Sequence, residues 1–332
     1  MATVYDVAAR AGVSVGTVSR YLTGNGYVGE ASRARIAAAI AELGYVPNRA
    51  AASLTTKATG LLGFVASDLR NPFTAEIASA LGQAARANGY GLVLAESLSD
   101  PRLSVEAIEL MRAHGVDGLI VTPPESPEVN QAVLAAASLI PVVGIGLRTE
   151  PAAIDLVTSD TVQGARSALS HLLGLGHRRI AYIGASSMAS GRYRGYTQSL
   201  ADAGIDRDDR LIFAGKLDRQ AGRVALDAML SLPDPPTAVF AANDAAALGV
   251  LQEAYSRGLA VPRELSVVGY DDVDLAQHSV PPLTTIAQPM SAMGQQAIDL
   301  LLSRLKGDPL APPREVVLPG RLVVRESTMP PA

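Results

Sequence analysis

From Leu61 the chain repeats one pattern, and no other feature narrows its possible folds as much. The apolar runs LLGFVAS (61–67), GLVLAE (91–96), DGLIVT (117–122) and PVVGIG (141–146) are separated by helix-forming stretches near 73–88, 99–114 and 128–139. A strand that is apolar throughout, rather than at alternate positions, needs cover on both faces, which a parallel sheet with helical crossovers provides. A second series follows: RRIAYIG (178–184), LIFAG (211–215), AVFAA (238–242) and SVVGY (266–270), with helices near 162–175, 192–203, 220–230 and 245–257. The expected fold class is therefore α/β, with two doubly wound parallel lobes. An amphipathic helix is expected over 291–306, and VVLP (316–319) and LVVRES (322–327) are expected as strands returning to the first lobe. That assigns 60–159 and 290–332 to lobe one and 160–289 to lobe two, which together form a body over 60–332.

Residues 1–46 read as a small helical head. Thr3 followed three positions later by Asp6 is a capping-box-like start, and Val4, Val7, Ala8 and Ala11 follow at helical spacing until Gly12. Ser14 caps a second helix, in which Val18 and Leu22 face inward while Gly16 and Arg20 face out. This is the layout of a helix-turn-helix. In that motif the N-terminal residues of the second helix meet base edges, so Val15, Gly16 and Arg20 are the sequence readers; the spacing alone leaves an ordinary αα-hairpin equally open. A third helix is expected from Glu30 to Leu43, with Ile36, Ile40 and Leu43 as its buried stripe and Gly44 and Pro47 as its stop. Residues 47–59 follow as a hinge and linker. NRAAASL (48–54) forms about two turns of helix, too few to be stable alone in water, so it orders only against a twin or DNA; its composition also suits an alanine-rich linker.

Over residues 1–60 there are six basic and three acidic residues, a net charge of +3 that leaves −7 for the rest of a chain whose formal charge is −4. The head can approach phosphate; the body repels it. No run approaches the ~18 apolar residues of a membrane helix. The start MATVYDVAAR has no basic-then-apolar signal layout and the chain has no cysteine, so the expected location is the cytoplasm, with no membrane partner.

The strings YDVAARAGVSVGTVSRYL (5–22), LGYVPNRAAASL (43–54), NPF (71–73), LGHRRIAYIG (175–184), ANDAAALG (242–249), SVVGYDD (266–272) and PPLTTIAQP (281–289) closely resemble the lactose repressor / galactose repressor family of bacterial transcription regulators. The likeness covers nearly the whole chain and implies a sequence-specific DNA-binding repressor with a double-stranded operator, a small-molecule effector and a homodimer as its partners, no cofactor and no metal. Thr3, Tyr5, Ser14, Val15, Gly16, Thr17, Ser19 and Arg20 are then the head residues facing DNA. Asn48, Arg49, Ala51 and Leu54 belong to a hinge helix that pairs with its twin in the minor groove, where the leucine wedges open the central base step. The body implied is like that of periplasmic sugar-binding proteins. Gly29 stands where relatives usually carry serine, and no leucine-heptad tail follows Arg325, so a dimer is expected rather than a tetramer.

In open α/β sheets ligands sit beyond the carboxyl ends of the strands. This singles out Asp68, Asn71 and Phe73 after the first strand, Asp160 at the crossover, Arg192 after RRIAYIG, Asn243 and Asp244 after AVFAA, and Asp271 after SVVGY. Helix capping by Asn243 or Asp244 is the alternative role there, and the better one for Asp244 than ligand binding; for Asp160 it is an equally good role. The resemblance implies Phe73, Arg192, Asn243 and Asp271 as effector contacts, and Asp160 is kept with them. Relatives often have an aspartate where this chain has Gly146 and an aromatic wall where it has Leu217. A sugar is the first expectation for the effector, with a nucleoside, purine or other polar metabolite as the alternative.

Enzymes share such lobes, but VVGIGLR (142–148) lacks the third glycine of a dinucleotide loop, and no Walker A string occurs. Of the histidines, His114 and His177 sit beside a glycine at a helix end, where capping or surface exposure explains them. No metal-ligand cluster or nucleophile elbow accompanies His114, His171, His177 and His278, so the chain is expected not to be an enzyme. A secreted solute receptor matches the body and not the head.

Overall fold

The computed structural model describes residues 2–24, 26–45, 58–122, 126–146, 153–188, 190–307 and 311–331. Its contacts divide the chain into two units, Met1–Thr59 and Gly60–Ala332.

In the first unit, helix α1 (Val4–Ala11) opens with a capping box. The Thr3 side chain accepts from the Asp6 amide, and the Asp6 carboxylate accepts from the Thr3 amide at 2.8 Å. Gly12 closes the helix in the left-handed region at φ 63°, a conformation that costs glycine little. Helix α2 (Val15–Thr23) starts at Ser14, whose hydroxyl accepts from the Thr17 amide at 3.2 Å. Helix α3 (Glu30–Leu43) starts at Gly29 with no side-chain cap. Val7, Ala8, Ala11, Val18, Val28, Ile36 and Ala39 form the core, with Val4, Val15, Leu22, Ile40 and Leu43 packed at its edge. An Arg10–Glu42 ion pair at 2.6 Å ties α1 to α3.

The second unit holds two parallel sheets among its described residues. Lobe one is ordered β11 (Glu315–Leu318), β5 (Asp155–Ser159), β4 (Val142–Ile145), β3 (Gly118–Val121), β1 (Leu61–Ala66), β2 (Gly91–Glu96), all in parallel register. Helices α4 (Pro72–Ala87), α5 (Pro101–Ala113), α6 (Pro127–Ala137) and α12 (Met290–Lys306) belong with it. Lobe two is ordered β7 (Ile212–Phe213), β6 (Ile180–Ile183), β8 (Ala238–Ala241), β9 (Ser266–Val268). It carries α7 (Thr161–Gly174), α8 (Gly191–Asp202), α9 (Arg219–Leu230), α10 (Asp244–Ser256) and the short α11 (Asp274–His278).

One strand departs from the expectation. Arg321–Val323 (β12) pairs antiparallel with Thr285–Ala287 (β10), and the tail beyond it docks on lobe two, where the Val267 amide donates to the Ser327 carbonyl and the Met329 amide to the Ser266 hydroxyl. Only VVLP returns to lobe one, so the chain crosses a third time at Pro319–Gly320. The apolar run LVVRES fits either sheet, and its long-range partners decide.

Two devices hold the body. Gly222 on α9 and Gly249 on α10 let those helices touch backbone to backbone: a Cβ at Gly222 would lie 2.0 Å from the Ala246 carbonyl oxygen, and one at Gly249 2.1 Å from that of Arg219. In lobe one the buried Asp155 carboxylate receives Arg304 and Arg314, with Nη2 distances of 2.7 Å from each, and the Arg314 amide at 2.8 Å. Burial alone would raise its pKa, and these donors more than reverse that, holding it at about 2.

A carboxylate depressed in this way stabilises the fold above its unfolded pKa near 3.8 and loses that contribution as pH falls towards about 2. The stability gap between wild type and Asp155→Asn in urea titrations should therefore narrow by about 2 kcal/mol from pH 5 to pH 2. Asp155→Ala should cost roughly 3 kcal/mol at pH 7 by stranding two guanidinium groups. Gly249→Ala should cost about 1–3 kcal/mol in the same assay, because α9 and α10 must separate.

Candidate functional site

On the head, α2 presents Gly16, Ser19 and Arg20 to solvent, and Tyr5 on α1 is exposed as well. The Arg20 Nε donates back to the Gly16 carbonyl at 3.2 Å, laying the guanidinium along the N-terminal half of its own helix. Ser14 and Thr17 hydroxyls lie 2.9 Å apart, at the first turn. Val15 is partly buried against the head core, so it offers less surface than the spacing suggested. Thr3 is exposed, with its hydroxyl donating to Asp6 at 2.7 Å. Asn48, Arg49, Ala51 and Leu54 lie outside the described residues.

In the body, the polar residues converge on the turn Tyr270–Asp274, where the three crossovers meet. Asp271 (φ 120°) and Asp272 (φ 62°) adopt backbone conformations rare for non-glycine residues. Such strain persists only where the surroundings over-determine it, and here every residue of the turn is anchored. The Asp271 amide donates to the Ile286 carbonyl at 2.8 Å, and its carboxylate accepts from Gln288 Nε2 at 2.6 Å. Gln288 sits on the second crossover and accepts in turn from Ser159, on the first. Arg325, two residues beyond β12 after the third crossover, reaches Asp272 at 2.6 Å.

Arg192 stands over the Tyr270 ring, 4.3 Å from its centroid, with Nη2 3.6 Å from the Asp271 carboxylate. Its Nε and the Tyr270 hydroxyl are buried without a well-formed hydrogen bond. Burial pushes the Asp271 carboxyl above the usual carboxylate range, and the Arg192 charge and the Gln288 donor only partly offset this. Asp244 nearby is raised too, by burial and then by the charge of Asp271.

The remaining expected residues divide. Phe73 lies in the first turn of α4, one side against the lobe-one core. Asn71 caps that helix, and Asp68 pairs with Arg70 at 2.8 Å. Asp160 caps α7, its carboxylate accepting from the Gln163 amide at 2.9 Å. Asn243, expected to face the ligand, is the cap of α10: its Oδ1 accepts from Ala246 and its Nδ2 donates to the Leu217 carbonyl, so both ends of the amide are engaged within the protein. Asp244, expected as the cap, instead accepts from the Val273 amide at 2.9 Å and the Thr285 hydroxyl at 2.6 Å. The pair exchange roles because the strand end sets Asn243 at extended φ and ψ, the geometry of a cap. His177 is neither a cap nor exposed; it is buried between Thr237, Ser266 and the Met329 carbonyl. Tyr270, Gln288, Ser159, Asp272 and Arg325 were not singled out, although GYDD and TIAQP contain three of them directly after apolar runs.

Two concavities lie elsewhere: one of about 510 Å³ lined by Phe213, Lys216 and Val224, and one of about 160 Å³ lined by Arg179, Tyr196 and Asp208. Among the described residues no group of three or more acidic or histidine side chains could hold a metal, and no helix is long and apolar enough to cross a membrane.

Residues 3–48 match the family model of bacterial regulatory proteins, lacI family, and residues 169–328 that of a periplasmic binding protein-like domain. The HTH-type transcriptional regulator DegA of Bacillus subtilis is 35% identical over 333 residues, spanning 99% of this chain and 98% of that protein. The ribose operon repressor of Escherichia coli is 35% identical over 308 residues, 92% of this chain and 93% of that one. Among solved structures, the lac repressor dimer bound to operator matches with a TM-score of 0.87 at 32% identity over 99% of each chain, and the CelR–cellobiose complex with 0.72 at 33% identity over 98% of this chain and 100% of that one. Relatives this similar from end to end show that the chain belongs to the lacI family of bacterial regulatory proteins, DNA-binding regulators of transcription.

Proposed function

We propose that this regulator is a repressor whose grip on a pseudo-palindromic operator is set by a small polar metabolite held between Phe73, Arg192 and Asp271. One observation carries the reading: Arg192, a cation laid on an aromatic ring with a buried and unmated Nε, faces a buried carboxylate where all three crossovers converge. Leaving such a donor unpaired is costly, and a ligand hydroxyl or carboxylate would satisfy it. Asp160 and Asn243 act as helix caps in this reading and touch the ligand only secondarily.

A sugar is the first choice. The solved CelR complex holds cellobiose, and a related regulator from Enterococcus faecium holds ribose. A nucleoside or purine is favoured by a specific feature: Gly146 offers no acceptor side chain and the Asn243 amide is already engaged, so fewer groups remain for sugar hydroxyls.

On DNA, two copies set their α2 helices on half-sites about one helical turn apart, with Ser14, Thr17, Ser19 and Arg20 at the groove, Thr3 and Tyr5 at its flank, and the paired hinge segments carrying Leu54 between them. The exposed apolar side chains Val93 and Leu94 on the edge strand β2, with Leu98, Leu103 and Leu110, suit the seam between copies. Whichever effector state binds operator better is itself favoured by operator, with equal coupling in both directions.

Arg20→Ala should weaken operator binding by about 1–3 kcal/mol and relax preference at one base pair per half-site, read by selection from randomised duplexes. Uniform weakening on every sequence would assign Arg20 to phosphate alone. Ribose, cellobiose and hypoxanthine should be screened by thermal shift, where the effector at a hundred times its Kd stabilises by about 2.7 kcal/mol. Asp271→Ala should abolish that shift and leave operator affinity intact; a retained shift would place the pocket elsewhere.

A further inference from the structure

We infer that Glu76 is the residue through which lobe one reads the effector turn: its carboxylate, reaching from α4 to the amide of Asp274, sets the angle at which the two lobes close. The inference rests on the effector reading of Asp271 given above. It concerns a different group, on the opposite lobe.

Four residues of the turn, Asp271 to Asp274, have four different anchors. Gln288 holds Asp271, Arg325 holds Asp272, Asp244 holds the Val273 amide, and Glu76 accepts from the Asp274 amide at 3.3 Å. Gln288 comes from a crossover segment, and Arg325 and Asp244 come from lobe two and the tail docked on it. Of these four, Glu76 alone belongs to the lobe-one framework, so it is the anchor whose contact must change when the lobes change angle. The other three can travel with the turn.

The character of this bond suits a contact that makes and breaks. Its length is at the long end for an N–H donor. Burial pushes the Glu76 carboxyl above its usual range, and after the opposing effect of the Asp274 amide, the Asp274 and Asp272 charges push it further in the same direction. The carboxylate is thus held against its electrostatic surroundings. Asp155, by contrast, has two guanidinium groups and does not need to let go.

Position completes the argument. Glu76 and Phe73 lie three residues apart on α4 and so share a face, while Asp271 and Asp274 lie within one turn of each other across the cleft. A metabolite between Phe73 and Asp271 therefore spans the same two elements that Glu76 bridges. Closing on the metabolite and forming the Glu76 contact are one movement, and each favours the other.

The chain has no cysteine, so two introduced ones can be labelled without background. Spin labels at exposed Gln131 on α6 and Ala201 on α8 report the distance between lobes in the full-length protein, diluted with unlabelled protein and free of ligand. Glu76→Ala should broaden the wild-type distance distribution, and Glu76→Gln should give an intermediate one. It should also weaken whichever of ribose, cellobiose or hypoxanthine binds the wild type by about tenfold, the effect of losing one charge-assisted hydrogen bond. Should Glu76→Ala fail to fold, amide exchange at Asp274 carries the test, and Glu76→Gln should exchange faster than wild type. A Glu76→Ala distribution superimposed on that of wild type, or unchanged Asp274 exchange in Glu76→Gln, overturns the inference. Because both readouts are taken without ligand, they stand or fall apart from the Asp271 assignment, which the thermal-shift loss in Asp271→Ala judges separately.

Discussion

Burying a carboxylate is unfavourable unless the protein surrounds it with donors, and Asp271 imposes that demand on the middle of the body. Its donors come from far apart in sequence: Gln288 on one crossover and Arg192 on α8, with Ser159 on another crossover supporting Gln288. Meeting the demand draws together the segments that join the lobes. The strained backbone at Asp271 and Asp272 is the mark of that convergence. On the proposed reading, an effector entering there would compete for, or add to, a set of hydrogen bonds that also fixes how the lobes are connected.

Local chemistry made much of the molecule readable from its letters. The Thr3–Asp6 box, Gly12, Ser14 and Gly44 mark helix ends by mechanisms that need no tertiary partner, and the helices they bound in the structure agree with the reading. The apolar strands were equally plain, because a strand covered on both faces writes its burial in every residue. What escaped depended on distant partners. Strand β5, Asp155–Ser159, begins with an acid that no strand pattern predicts; its place is intelligible only once Arg304 and Arg314 are beside it, 149 and 159 residues away. The tail is similar: LVVRES has a strand's composition, and what sends it to lobe two is the contacts of Arg325, Ser327 and Met329.

The candidate site was legible in part for the same reason. Arg192 and Asp271 follow apolar runs, where ligands gather in open sheets, and the structure brings them together. Asn243 and Asp244 follow such a run too, and nothing local tells which of two adjacent polar residues will cap and which will turn inward. The backbone angles at the strand end decide it. Gln288 lies within TIAQP, but its value is in joining a crossover to the turn and not in its own chemistry, which no local pattern marks.

The contact of α9 with α10 through Gly222 and Gly249 has a mechanical consequence. With carbonyl groups seated where side chains would otherwise cushion the helices, this half of lobe two has little room to yield, as expected of interiors packed like crystals. A shove at one end should arrive at the other nearly undiminished. Such a block would serve as a stiff lever arm, leaving any bending between the lobes to the three thin connecting segments.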